Sequence, residues 1–275
     1  MTALVNRPDL SQRTVLSKSA IASADWCQTA AWYDIHERRP MLPSERMLFG
    51  SVLDAAVEQL MIAGRAGLPM EEAKPLLAAE EVAAKSPDIE IDLAQIAHAC
   101  DRFIRDVMPG YDFALCGLQS EIHEDLPGIG EVQGHPDVRL ADRSIFDVKS
   151  AKRAKQDTDA AQSIELGLYA LLSEAETGKP TPRVGYWTWV RTSKPYWQIL
   201  EAPFTDEMRR RTRAVASAYV RAKAADELLN RGMDKPINFT FTGGPKFAGK
   251  CADCQYNPAF GGPCQLAVQG VSDAA

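Results

Sequence analysis

The segment from Glu131 to Lys149 limits the fold of this chain more than any other. Its side chains alternate as two strands would. Glu131, Gln133, His135, Asp137 and Arg139 fall on one face of the first, and Val132, Val138 and Leu140 on the other. Asp147 and Lys149 are two residues apart and share a face of the second. A three-residue loop, Ala141-Asp142-Arg143, sets Leu140 opposite Ser144 and Asp137 opposite Asp147. A four-residue loop would set Asp137 opposite Val148, on the wrong face. The shorter loop is the expected one.

Carboxylates directly opposed on neighbouring strands stand about 5 Å apart and repel. A divalent cation held by hard oxygen ligands offsets that repulsion. Lys149 would stand beside it, as a charge for a phosphate or a proton carrier for an attacking water. A hairpin whose charges merely face solvent is the alternative. Downstream, Lys152, Arg153 and Lys155 follow within six residues of Lys149. Such cations give sequence-independent contact with phosphates, although a short basic run is also an ordinary solvated loop.

The Pro136-Asp137 and Asp147-Val148-Lys149 pattern resembles the PD-(D/E)xK nuclease superfamily, and within it the RecB-type exonucleases, including the CRISPR-associated iron–sulfur family. The likeness spans about Ser17 to Gln265. It implies an α/β fold with a restriction-endonuclease-like core, a central mixed sheet flanked by helices. An N-terminal helical section and a C-terminal cysteine-rich cluster segment are expected with it. The whole of 1–275 is expected to be a single nuclease domain, with a helical section at 44–110, a catalytic core at 117–230, and a metal-cluster segment formed by 27 plus 251–264. The implied activity is metal-dependent exonucleolytic hydrolysis of DNA, with Mg2+ or Mn2+. Asp137, Asp147 and Lys149 are then catalytic, and the Val148 carbonyl is a further metal ligand. A non-catalytic DNA-binding or scaffolding module on a decayed nuclease fold is the competing reading.

The other site residues follow from the resemblance and from local signals. Ser17 to about Arg38 reads as one helix, with Ser17 or Ser19 as N-cap. Ser44 caps a second, through about Gly64, on which Gly50, Asp54 and Glu58 form a stripe. RecB-type enzymes have Gly-x-x-x-His there, with the His on the metal; here Asp54 stands in its place. Helices of about 70–84 and 89–107 come next. The sheet begins near Gly117, with Gln119, Glu121 and His123 on one face. The resemblance makes Glu121 a metal ligand; an edge-strand charge is the alternative. A helix from about Asp159 to Ala175 carries Gln162 and Tyr169, which the family's Gln-x-x-x-Tyr motif implies as DNA contacts alongside Lys152, Arg153 and Lys155. The position four before Tyr169 is Glu165. Strands at 182–191 and 196–201 are rich in aromatics, expected to pack the sheet. A basic helix at 205–229 completes the core.

Cys251, Cys254 and Cys264 lie within fourteen residues, one ligand short of a tetrahedral site or a cubane. Cys27 is the candidate fourth, in a Ser23-Ala-Asp-Trp-Cys27 segment like that of the iron–sulfur nucleases. A 4Fe–4S cluster is expected; a structural zinc site, a Zn2+ ion on the same thiolates, and plain thiols are the alternatives. Cys100 and Cys116 read as core thiols. The net charge of −6 excludes a uniformly cationic nucleic-acid coat. No apolar run approaching a membrane span and no signal pattern are evident, so a cytoplasmic protein of a bacterial or phage-infected cell is expected. Its expected partners are DNA, single-stranded or with free ends, and recombination, CRISPR or phage replication proteins, with no membrane.

Overall fold

In the computed structural model, which describes residues 15–36, 44–114, 116–233, 236–238, 241, 254, 256 and 262–264, the first helix is capped by Ser17. Its hydroxyl accepts the Ala20 N–H at 3.2 Å. Strand β1 (Leu16–Ser17) leads directly into α1 (Lys18–Trp26). The helix expected to reach about Arg38 is interrupted at Cys27, which takes an extended backbone (φ −157°, ψ 105°), and α2 (Gln28–His36) starts beyond it. The interruption leaves few hydrogen bonds unmade. Cys27 N–H still donates to the Ser23 carbonyl at 2.9 Å, and the Cys27 carbonyl accepts from Ala31 N–H at 3.2 Å.

Ser44 caps α3 (Glu45–Ala66), accepting the Met47 N–H at 3.3 Å, and Gly67 ends it at φ 65°, a conformation glycine adopts without strain. This helix is long and apolar enough to cross a membrane, contrary to the sequence expectation. Its apolar side is instead core: Val52, Leu53, Ala56, Val57 and Leu60 are fully buried. The expected helix at 70–84 divides into a 3-10 turn (Met70–Glu72) and α4 (Pro75–Ala83), where Pro75 takes the first helical position, at which its missing N–H costs nothing. The next, α5 (Leu93–Asp106), starts later than expected, where Asp92 accepts the Ala94 N–H at 3.0 Å.

Among the described residues, eight strands form two sheets. The remaining strands are β2 (Gly117–Leu118), β3 (Ile122–Leu126), β4 (Gly130–Gly134), β5 (Val138–Arg139), β6 (Ile145–Ala151), β7 (Arg183–Val190) and β8 (Tyr196–Pro203). Between β6 and β7 run α6 (Asp159–Gln162) and α7 (Ile164–Thr177), and α8 (Asp206–Leu229) follows β8. The sheet orders are β1-β4-β3 and β2-β5-β6-β7-β8. The strand expected to be continuous from Glu131 to Leu140 therefore divides at His135-Pro136-Asp137: β4 belongs to the small sheet and β5 to the large one. Pro136 brings no N–H to a ladder, which favours the division there. The strand expected across 118–123 divides too, at Gln119, whose φ is 40°.

The hairpin register is as expected. Val138 pairs with Phe146 and Arg139 with Ile145, and Leu140 N–H donates to the Ser144 carbonyl at 2.9 Å. The loop is Ala141-Asp142-Arg143, with Arg143 at φ 71°. Strands β6 and β7 are parallel and the other neighbours in the large sheet antiparallel, so the sheet is mixed. Helices cover both of its faces. Leu166, Leu168 and Leu171 of α7 pack with Ile145 and Val184 on one side. Leu53, Leu60 and Phe103 pack with Phe146, Val148, Trp187 and Trp189 on the other. The strand aromatics are thus core, and Trp197 anchors β8 to α5 through Nε1 to the Ala99 carbonyl at 2.9 Å.

Candidate active site

β6 is the central strand of the five, and Asp147 lies within it, 1% exposed. Asp137 precedes β5 and reaches the same strand: its Oδ2 accepts the Val148 N–H at 2.7 Å. Two residues on from Asp147, Lys149 makes an ion pair with it and lies 3.9 Å from Glu165 Oε1. Glu165 also pairs with Lys18, whose ammonium stands 4.7 Å from the Tyr169 ring centroid. From the helical layer, α3 contributes Asp54, whose Oδ1 is buried and makes no hydrogen bond. Asp54, Asp137, Asp147, Lys149, Glu165 and Lys18 thereby form one electrostatic cluster.

Burial pushes Asp54 up to about 7; Lys149 opposes the shift, and Asp147 and Glu58 add to it. Burial likewise raises Asp137 and Asp147, against the pull of Lys149, and Asp54 adds to the first while Asp137 adds to the second. For Lys149, burial works downward, but Asp147, Glu165 and Asp137 together hold it well above the ordinary range. Burial would raise Glu165, yet Lys149 and Lys18 outweigh it and its pKa is lowered. The centre therefore holds a protonated ammonium among carboxylates that burial inclines to take up protons.

Such a donor set fits a hard divalent cation. Asp54, Asp137 and Asp147 act on one another electrostatically, and a buried carboxylate oxygen without a partner, as on Asp54, is the kind of atom a cation satisfies. As the side chains stand, no three His, Cys, Asp or Glu groups among the described residues are close enough together to hold an ion. Lys149 rests on Asp147 instead.

The other expected site residues are placed less uniformly. Glu121 is exposed and lies 3.9 Å from His135. Lys152 and Arg153 are exposed on the loop after β6, while Lys155 turns inward, 4.2 Å from the Tyr186 ring centroid. The expected helix at 159–175 breaks at Ser163, which caps α7 by accepting the Leu166 N–H at 3.0 Å. Gln162 is left exposed at the end of α6. Tyr169 is buried against Gly134, where a Cβ would come within 2.9 Å of its ring. Glu165 and Lys18 were not among the expected site residues. Glu165 had a signal, one turn before Tyr169; Lys18 had none beyond its place after a cap.

Cys27, Cys254 and Cys264 meet in one apolar cluster with Ala30 and Tyr256; Cys251 lies outside the described residues. Helix α2 holds this segment. Tyr33 stacks on Tyr256 at 4.9 Å and donates to the Pro263 carbonyl at 3.1 Å, and Tyr256 donates to Asp34 Oδ1 at 2.6 Å. Cys264 N–H folds back to the Tyr256 carbonyl at 2.9 Å, a return open only to glycine at 262, whose Cβ would overlap the Tyr256 backbone. Burial raises the Cys254 pKa, and the neighbouring Cys27 and Cys264 add to the rise.

The fold is α/β, a mixed central sheet flanked by helices. The structure of a candidate exonuclease from Eubacterium rectale shares it, with a TM-score of 0.55 over 86% of this chain and 97% of that one, at 16% identity. An alkaline exonuclease from Laribacter hongkongensis aligns over 65% of this chain and 90% of that one, at 15% identity and a TM-score of 0.32, too distant to bear on the reading. No protein-family model and no curated protein matches the sequence.

Proposed function

We propose that this chain is one nuclease domain that hydrolyses DNA phosphodiester bonds, acting as an exonuclease with Mg2+ or Mn2+. The observation that carries the reading is the meeting of Asp137, Asp147 and Lys149 in the centre of the sheet, with Asp54 from α3 beside them. The fold shared with a candidate exonuclease supports it. Asp54, Asp137, Asp147 and the Val148 carbonyl would hold the cation. When bound, the cation supplies Lewis-acid polarisation of the scissile phosphate and acidifies the attacking water. Lys149 stays protonated among the carboxylates, so its role is to stabilise charge developing on the phosphate. Glu165, balanced by Lys18, helps hold the Lys149 ammonium in place. Lys152, Arg153 and Lys155 are the proposed phosphate contacts, with Gln162 and Tyr169 flanking them.

We also assign Cys27, Cys251, Cys254 and Cys264 as the ligands of a structural 4Fe–4S cluster, with Zn2+ as the alternative occupant. The gathering of three of these thiols by α2 supports it.

An end-labelled single strand incubated with Mn2+ tests the activity. Wild type should degrade it; Asp147→Ala and Lys149→Ala should each lose at least about 10³-fold in rate while melting as folded proteins. Full activity in either purified variant refutes the assignment. Binding without cleavage across several metals would favour a scaffold on a decayed nuclease.

A further inference from the structure

Among the proposed phosphate contacts, Lys155 differs from its neighbours. Lys152 and Arg153 are exposed, whereas Lys155 is partly buried beside the centre. Its backbone is held at both ends by one side chain. Lys155 N–H donates to Gln198 Oε1 at 2.8 Å, and Gln198 Nε2 donates to the Lys155 carbonyl at 2.9 Å. Gln198 lies in the middle of β8, two strands from Asp147, so the clamp ties the loop after β6 to the rigid sheet. The ammonium is thereby laid over the Tyr186 ring at 4.2 Å, and Tyr186 is itself fixed by a 2.7 Å hydrogen bond between its hydroxyl and Ser163 Oγ.

Among the described residues this ammonium makes no ion pair. Burial lowers its pKa; Asp159, Asp147 and Glu165 act upward at longer range, and Lys149 acts downward. A desolvated cation facing an aromatic ring, next to a second ammonium, is matched by an anion. A long flexible side chain normally loses much of its freedom when it binds. Here the loop, the ring and the clamp already hold it in place.

We infer that Gln198 is a positioning residue that fixes Lys155 as the anchor for a nucleic-acid phosphate next to the Asp147–Lys149 centre. The inference rests on the nuclease reading and deepens it. It divides the basic loop into one fixed contact and two solvated, salt-screened ones.

The test is anisotropy of a fluorescent single-stranded oligonucleotide, in chelator, titrated with salt. Lys155→Gln should weaken binding about tenfold and reduce the slope of log affinity against log salt by about 0.7. Gln198→Leu removes no charge, yet it should weaken binding several-fold and reduce the same slope. The double variant should be no weaker than Lys155→Gln alone. In wild type, the Lys155 N–H should be protected from hydrogen exchange relative to the other amides of its loop, a measurement that needs no variant. If wild type binds while Gln198→Leu keeps its affinity and slope, if the two effects add, or if the Lys155 amide exchanges freely, this inference is overturned and the nuclease reading stands. If wild type binds no oligonucleotide even at low salt, both fall.

Discussion

Asp54 is the residue that most directly reports the state of the centre. Its pKa is near 3.8 in an unfolded chain and about 7 here, because burial disfavours its charge. A carboxyl raised in this way binds a proton in the folded state that the unfolded chain releases. Its contribution to stability is complete below about pH 4 and is lost as pH rises through about 7. In chelator, Asp54→Asn should therefore melt about 3 °C above wild type at pH 8 and close to it near pH 4. Parallel melting curves at the two pH values would show that Asp54 is not held as described. Cation affinity should rise over the same interval, since cation and proton compete for the carboxylates. At this scale Asp137, Asp147 and Lys149 were readable from a period of two and a loop length. Glu165 had only its spacing before Tyr169 to mark it, and Lys18 had nothing, because their ion pair depends on α1 meeting α7, which no local pattern encodes.

At the scale of elements, close approach decides what each glycine allows. Gly134 ends β4 under Tyr169, and an added Cβ would stand 2.9 Å from that ring. Gly134→Ala should cost about 1–3 kcal/mol and displace Tyr169. On α3, a Cβ at Gly50 would meet only Ser150 Oγ, at 3.7 Å. Gly50→Ala should be neutral or stabilising by up to about 1 kcal/mol. Thermal melts of the pair check both, and equal losses would contradict the packing. The hairpin register was legible because a one-residue slip would have put Asp137 opposite an apolar side chain. The transfer of the chain from the small sheet to the large one at Pro136 was not legible, since alternation is the same on either side of it. Nor was the break at Cys27, where helical hydrogen bonds continue past a residue turned out of the helix to meet Cys254 and Cys264.

Across the whole molecule, a buried carboxylate joins apolar packing in tying α8 to α2. Asp226 of α8 accepts Trp32 Nε1 at 3.0 Å, lies 2.5 Å from His36 Nε2, and accepts Asn230 Nδ2 at 3.2 Å. Asp226→Ala would leave the buried Trp32 Nε1 without its acceptor and take a partner from half-buried His36, at a cost of about 1–3 kcal/mol in denaturant unfolding. A loss below about 1 kcal/mol would show the contact to be peripheral. The same α2 face carries Tyr33 and Asp34, which grip the cysteine segment. Protein purified without oxygen should thus be brown, with absorbance near about 400 nm. A colourless, zinc-loaded sample would assign the thiols to zinc. That Cys27 meets the late cysteines was implied by the resemblance; the aromatic clasp that brings them together was not legible.

The central claim is that facing carboxylates from β6 and the segment before β5 converge on a cation, with an ammonium alongside. Anomalous diffraction from crystals soaked in Mn2+ tests it most directly. The account predicts a manganese peak bonded to Asp137 and Asp147, with Lys149 displaced from Asp147 but still within reach of Glu165. Manganese bound elsewhere, with these carboxylates bare, would contradict it.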